Sequence, residues 1–159
     1  MPMLALTKTS PQLPIPWYFD PEIYTLEQKL LFDQGPGYVG HELMVPNRGD
    51  YQVLARFDNS KALVHGTDVQ LISNVCRHRQ AIILKDRGAA KSIVCPLHRW
   101  TYGLDGALRH VPGEEGFPGL DKDAHGLLPV TVHEKGGLIF MTQDAPLSEG
   151  ALPDVPDLL

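Results

Sequence analysis

The sequence predicts a mainly β protein: a small antiparallel sandwich or barrel with one short helix near its N-terminus. A chain of 159 residues is the size of one ordinary domain, and 43% hydrophobic with 21% charged residues can build a packed core. From Leu43 onward the chain breaks into short β-like runs, LMV, YQVLA, KALVH, DVQLISNV, KSIVC, ALRH, LPVTVHE and GLIFMT. Turn signals fall between them, at Asn47-Arg48-Gly49-Asp50, Asp58-Asn59-Ser60, Asp105-Gly106 and Gly136-Gly137. Short strands at that spacing are the pattern of a small barrel or sandwich.

Ahead of the strands, the first sixteen residues hold four prolines and read as an extended arm. Asp20 then has the character of an N-cap, with Pro21 at the first helical position and Glu22 in the first turn. Ile23, Leu26, Leu30 and Leu31 follow at helical spacing, so a short amphipathic packing helix is expected, ending near Gly35-Pro36-Gly37. The tail from Asp144, with Pro146, Gly150, Pro153 and Pro156, has the composition of a linker. The expected organisation is arm and helix over 1–42, a β domain over 43–143 and a tail over 144–159. No internal repeat or low-complexity tract interrupts it.

Charge and hydropathy narrow the functional classes. No stretch approaches the roughly 20 apolar residues of a membrane span, and the first residues lack the basic head and apolar run of a secretion signal. A cytoplasmic protein with no membrane partner is expected. The formal charge is −5, but the segment from Cys76 to His110 carries seven basic against two acidic side chains. A net acidic chain without basic and aromatic residues interleaved on one element is a poor nucleic-acid binder.

Chemistry concentrates in two short loops, Cys76-Arg77-His78 and, sixteen residues on, Cys95-Pro96-Leu97-His98. The chain has two cysteines, and each lies two or three residues from a histidine, which favours metal over a disulfide. A thiolate and an imidazole on each tight turn let two loops clasp a small inorganic centre from either side. A Cys₂His₂ donor set suits tetrahedral zinc, or a [2Fe–2S] cluster with cysteines on one iron and histidines on the other. Zinc fingers pair cysteine with cysteine and histidine with histidine on a helix, whereas here both loops are mixed and their surroundings β-like. The spacing therefore favours the cluster.

Mixed C-x-H and C-x-x-H loops resemble the Rieske signature, and the similarity continues through Trp100-Thr101-Tyr102-Gly103-Leu104-Asp105-Gly106. NVCRHR from Asn74 and CPLHRWTYGLDG from Cys95 resemble the Rieske domain of the large subunit of aromatic-ring-hydroxylating (Rieske non-haem iron) oxygenases. GYVGHE from Gly37 and GLIFM from Gly137 resemble that family's flanks. The resemblance implies a Rieske-type fold whose cluster ligands are Cys76, His78, Cys95 and His98. It implies Trp100 shielding the cluster and Tyr102 giving a hydrogen bond to a cysteine sulfur, where composition alone implies ordinary core packing. It further implies single electrons arriving from a ferredoxin or flavin reductase and passing to a catalytic domain or subunit with a mononuclear iron. A stand-alone Rieske ferredoxin serving a separate oxygenase is the alternative.

The departures from the family are specific. The catalytic domain, with its two histidines and a carboxylate on iron, has no counterpart in these residues, so no complete oxygenase site is expected. The remaining histidines, His41, His65, His110, His125 and His133, are scattered singly and suit surface or hydrogen-bonding roles. Gln80 and Arg99 stand where the family commonly has glycine, which permits turns other residues resist. One reading has both accommodated with φ below zero. Another has Arg99, with Arg77 and Arg79, ringing the exposed histidine edge with positive charge that steers an acidic donor.

Overall fold

The computed structural model describes residues 13–32 and 36–141, so the first twelve residues of the arm and the linker-like tail lie outside the described residues. Two compact units divide at Gly35. In the first, Ile15–Tyr18 form a 3-10 turn where an extended arm was expected, and α1 spans Pro21–Glu27. The Asp20 side chain accepts a hydrogen bond from the Glu22 N–H at 2.8 Å, with Pro21 at the first helical position. Beyond Glu27 the helix widens into a π turn over Gln28–Phe32. Leu26 and Leu30 are 50% and 52% exposed, and α1 buries no residue.

The second unit is built from three antiparallel sheets. A central sheet runs in the order β5-β2-β3-β4-β9, with β2 at Asp50–Val53, β3 at Lys61–His65, β4 at Val69–Ser73, β5 at Arg87–Ala89 and β9 at Pro129–Val130. A second, β1-β11-β10, joins Gly37–His41 (β1), Leu138–Met141 (β11) and Val132–Lys135 (β10). A third is a small meander of β6 (Ile93–Val94), β7 (Thr101–Tyr102) and β8 (Leu108–His110). No helix among the described residues is long and apolar enough to cross a membrane.

Strands β3 and β4 read as nearly continuous apolar runs because both of their faces are covered. Side chains alternate along a strand, so Ala62, Val64 and Ile72 enter one core with Cys76, Cys95, Trp100, Tyr102 and Leu127. Leu63 and Leu71 enter the opposite core with Val39, Val45, Leu54 and Ile139. The first of these cores holds both cysteines.

Two corrections concern the start of the β unit and its turns. The LMV run is not a strand: Glu42–Met44 is a 3-10 turn, and the strand lies just before it as β1, paired with β11. Strands β5 and β7 were not anticipated, since a Gly-centred run and a two-residue strand carry little pattern. The turn signals did locate real turns. Gly136 and Gly137 form the two-residue connection between β10 and β11 with φ of 58° and 78°, the left-handed pair that a tight hairpin requires.

The only buried polar residue among the described ones is Asn74, immediately before the first ligand loop. Its amide donates to the carbonyls of Asn59 and Leu84 at 2.9 Å and accepts from the Leu84 N–H at 2.8 Å. A buried polar group left unpaired costs roughly 1–3 kcal/mol. Asn74 thereby ties three backbone segments together at the base of the loop.

Candidate metal centre

Both Cys/His loops are tips of hairpins closed in the same way. Val75 bridges Ile82 below residues 76–81, and Val94 pairs with Thr101 below residues 95–100. In the first loop the Cys76 N–H donates to the Ala81 carbonyl at 2.8 Å and the Gln80 N–H to the Cys76 carbonyl at 2.9 Å. In the second, the Cys95 N–H donates to the Trp100 carbonyl at 2.9 Å and the Arg99 N–H to the Cys95 carbonyl at 3.0 Å. The histidine sits one position later in the second loop, so matching backbones offer imidazoles from different steps. His78 is half-buried and His98 exposed.

That closure fixes the backbone at Gln80 and Arg99. Their φ angles are 57° and 61°, which overturns the expectation that φ stays below zero. A side chain in left-handed conformation costs roughly 1–2 kcal/mol relative to the right-handed region.

The sulfurs lie deep. Cys76 is 2% and Cys95 1% exposed, and neither forms a disulfide. Burial pushes the Cys95 thiol up, backbone N–H groups of Leu97 and His98 pull it down, and the adjacent Cys76 sulfur raises it further. Tyr102, fully buried, accepts a hydrogen bond from the Arg77 N–H at 3.1 Å and meets Cys76 Sγ at 3.3 Å. With Cys76 as a thiolate, the only proton for that contact is the phenolic one. Burial first, then the Cys76 contact, raises the Tyr102 pKa and keeps its proton in place.

The imidazoles form the opposite pair, with His78 and His98 ring centroids 4.7 Å apart and planes at 78°. Trp100, 3% exposed, stacks on His78 at 4.8 Å and 8°. Burial, then the neighbouring His98 and Arg79, holds His78 below its usual pKa, which favours the neutral ring a metal needs. Arg77, Arg79 and Arg99 are all exposed on the two loops, with Arg79 near enough to act on His78, while elsewhere Arg109 pairs with Asp105 and Lys122 with Glu114.

The structure adds residues that spacing did not single out. Phe117 packs edge-on against both His78 and Trp100, at 5.7 Å from each, and His125 meets the Trp100 ring at 6.3 Å. Both come from the long 111–127 segment, where no periodic pattern marks them. Other histidines serve the backbone: His41 Nδ1 accepts from the Leu43 N–H, and His65 Nδ1 bonds the Val45 carbonyl at 2.7 Å.

Comparison with known proteins agrees with this geometry. Residues 36–129 match the Rieske [2Fe–2S] domain family. The putrescine 2-hydroxylase of Ralstonia nicotianae is 53% identical over 116 residues, covering 72% of this chain and 32% of that protein. The glycine betaine monooxygenase oxygenase subunit of Chromohalobacter salexigens is 35% identical over 143 residues, 88% of this chain and 32% of its own length. Among solved structures, naphthalene 1,2-dioxygenase from Rhodococcus sp. superposes with a TM-score of 0.67 at 30% identity, over 79% of this chain and 30% of that one. The chain belongs to the Rieske [2Fe–2S] domain family, with a Rieske-type cluster as its cofactor. It spans about 32% of the length of the curated relatives it matches, the part that is their Rieske domain.

The residues present fit that cofactor. His78 Nδ1 is buried with no hydrogen-bond partner, as expected of a nitrogen reserved for a metal. Among the described residues no three His, Cys, Asp or Glu side chains converge on the single point one ion occupies. The donors instead divide into a sulfur pair and an imidazole pair, the division a two-iron cluster uses.

Relieving the left-handed turns should stabilise the loops. Gln80→Gly and Arg99→Gly are each expected to raise stability by about 0.5–1 kcal/mol, the left-handed cost offset in part by glycine's greater unfolded entropy. Urea unfolding of each variant checks this, and a lowered midpoint in both would show that the side chains make compensating contacts.

Proposed function

We propose that this chain is the electron-transfer domain of a Rieske oxygenase large subunit, relaying single electrons from a ferredoxin or flavin reductase to a mononuclear iron outside these residues. Cys76 and Cys95 hold one iron of the cluster and His78 and His98 the other; once bound, the cluster supplies a one-electron store. The observation that carries the reading is the twin hairpin closure that sets two buried sulfurs against two outward imidazoles. In this role Trp100 keeps water from the His78 side, and Tyr102 directs its proton at the Cys76 sulfur, favouring the electron-rich reduced state. Chain purified without oxygen is expected to hold two irons and two acid-labile sulfides and, on reduction, to give a rhombic spin-resonance signal. Stoichiometric zinc after reconstitution with iron and sulfide would overturn the assignment.

Arg77, Arg79 and Arg99, exposed on the same two loops as His98 and Leu97, form the docking rim for an acidic donor. Arg99→Glu is expected to slow reduction by an acidic ferredoxin several-fold at low salt, with the difference fading as the Debye length falls toward roughly 3 Å near 1 M. An unchanged stopped-flow rate at low salt would make Arg99 a solvated loop residue.

The relatives also bear on the substrate of the complete oxygenase. The 53% identity to a putrescine 2-hydroxylase, against 30% to a naphthalene dioxygenase, supports an aliphatic amine over an aromatic ring. In the oxygenase containing this domain, putrescine is expected to stimulate oxygen uptake and naphthalene to leave it at the background rate. The opposite order would assign the aromatic class.

A further inference from the structure

His78 projects from a short loop whose backbone bonds fix its Cα but not its ring. With the buried, unpartnered Nδ1 left for the metal, the orienting hydrogen bond would have to involve Nε2, and no described residue makes one with it. Trp100, stacked within 8° of parallel, controls the tilt of the ring, and His98 stands at 78° to it from the other ligand loop. Phe117 stands at 84° to His78 and 79° to Trp100, and an upright ring at the edge of a stack blocks in-plane movement of the imidazole.

Phe117 is itself anchored. It follows a 3-10 turn at Glu114–Gly116, its N–H donates to the Glu114 carbonyl at 2.9 Å, and its carbonyl accepts from the Leu120 N–H at 3.1 Å. Lys122 pairs with Glu114 at 2.7 Å across the same segment. His125, whose Nδ1 bonds the Asp121 carbonyl at 2.7 Å, meets the Trp100 ring from that segment too. We infer that Phe117 is a positioning residue: the 111–127 segment uses it, with Trp100, to set the plane in which His78 meets the cluster. The inference rests on His78 being an iron ligand.

The test uses the full chain loaded with its cluster, read by pulsed spin resonance for the histidine nitrogen couplings, by g-anisotropy and by midpoint potential. Phe117→Leu removes the upright ring and keeps an apolar side chain. It is expected to retain iron and sulfide, to change the coupling of one of the two histidine nitrogens and to broaden the g-values, while Phe117→Tyr restores both. Leu120→Ala, from the same segment and packed on the same core but without a ring against His78, is the control and is expected to match wild type. Where the leucine variant does not fold, Phe117→Met serves for the same measurement. Wild-type nitrogen couplings in Phe117→Leu, or an equal change in Leu120→Ala, would overturn the positioning role. Absence of two histidine nitrogens in the wild-type spectrum would instead overturn the ligand assignment itself.

Discussion

Cys76 and Cys95, 2% and 1% exposed, lie against one another in an apolar core, and a thiolate in such a place loses the water that would stabilise its charge. Two neighbouring thiolates repel as well, so charge on the pair has to be taken up by the iron it would bind and by donors around it. The nearby structure supplies the donors. Backbone N–H groups of Leu97 and His98 reach Cys95, and the Tyr102 hydroxyl faces Cys76 while drawing on the Arg77 N–H behind it. Each donor depends on the position of its loop. The bonds that bend each hairpin tip back onto its own cysteine fix that position.

The loops in turn depend on the central sheet. Strands β3 and β4 bury both faces, which makes the sheet a rigid partition between two cores, and the cysteine core lies on one side of it. Asn74 fastens the stem of the first loop to Asn59 and Leu84, and the β6–β8 meander carries the second. Between β7 and β8, Gly106 has φ of 80° and lies so near Leu127 that a Cβ would approach its carbonyl oxygen to 3.2 Å. The turn signal read at Asp105-Gly106 thus reflects both a left-handed backbone and close packing.

What could be read from sequence and what could not divide along physical lines. The two Cys/His loops were legible because Cys and His at short spacing have few structural reasons to cluster, and the N-cap at Asp20 because its logic is local. The apolar run in KALVH located β3 but not the fact that both its faces are buried, since a continuous apolar run is silent about what covers it. LMV misled because apolar residues also fill a 3-10 turn, here capped by the ring of His41 at the end of β1. Phe117 and His125 were illegible for a different reason. Their roles come from long-range contacts to Trp100 and His78, and neither periodicity nor motif spacing encodes a contact that crosses from one loop to another.

The site is asymmetric: on the sulfur side Cys76, Cys95 and Tyr102 are all buried. The imidazole side opens at His98, on loops that also carry Leu97 at 62% exposure and three exposed guanidinium groups, in a chain whose formal charge is otherwise acidic enough to total −5. Arg99 gains that location only by taking φ of 61°, a conformation glycine adopts freely. A glycine there would relax the backbone but carry no charge. The chain therefore keeps a side chain where local sterics disfavour one, and the strain falls next to the exposed His98.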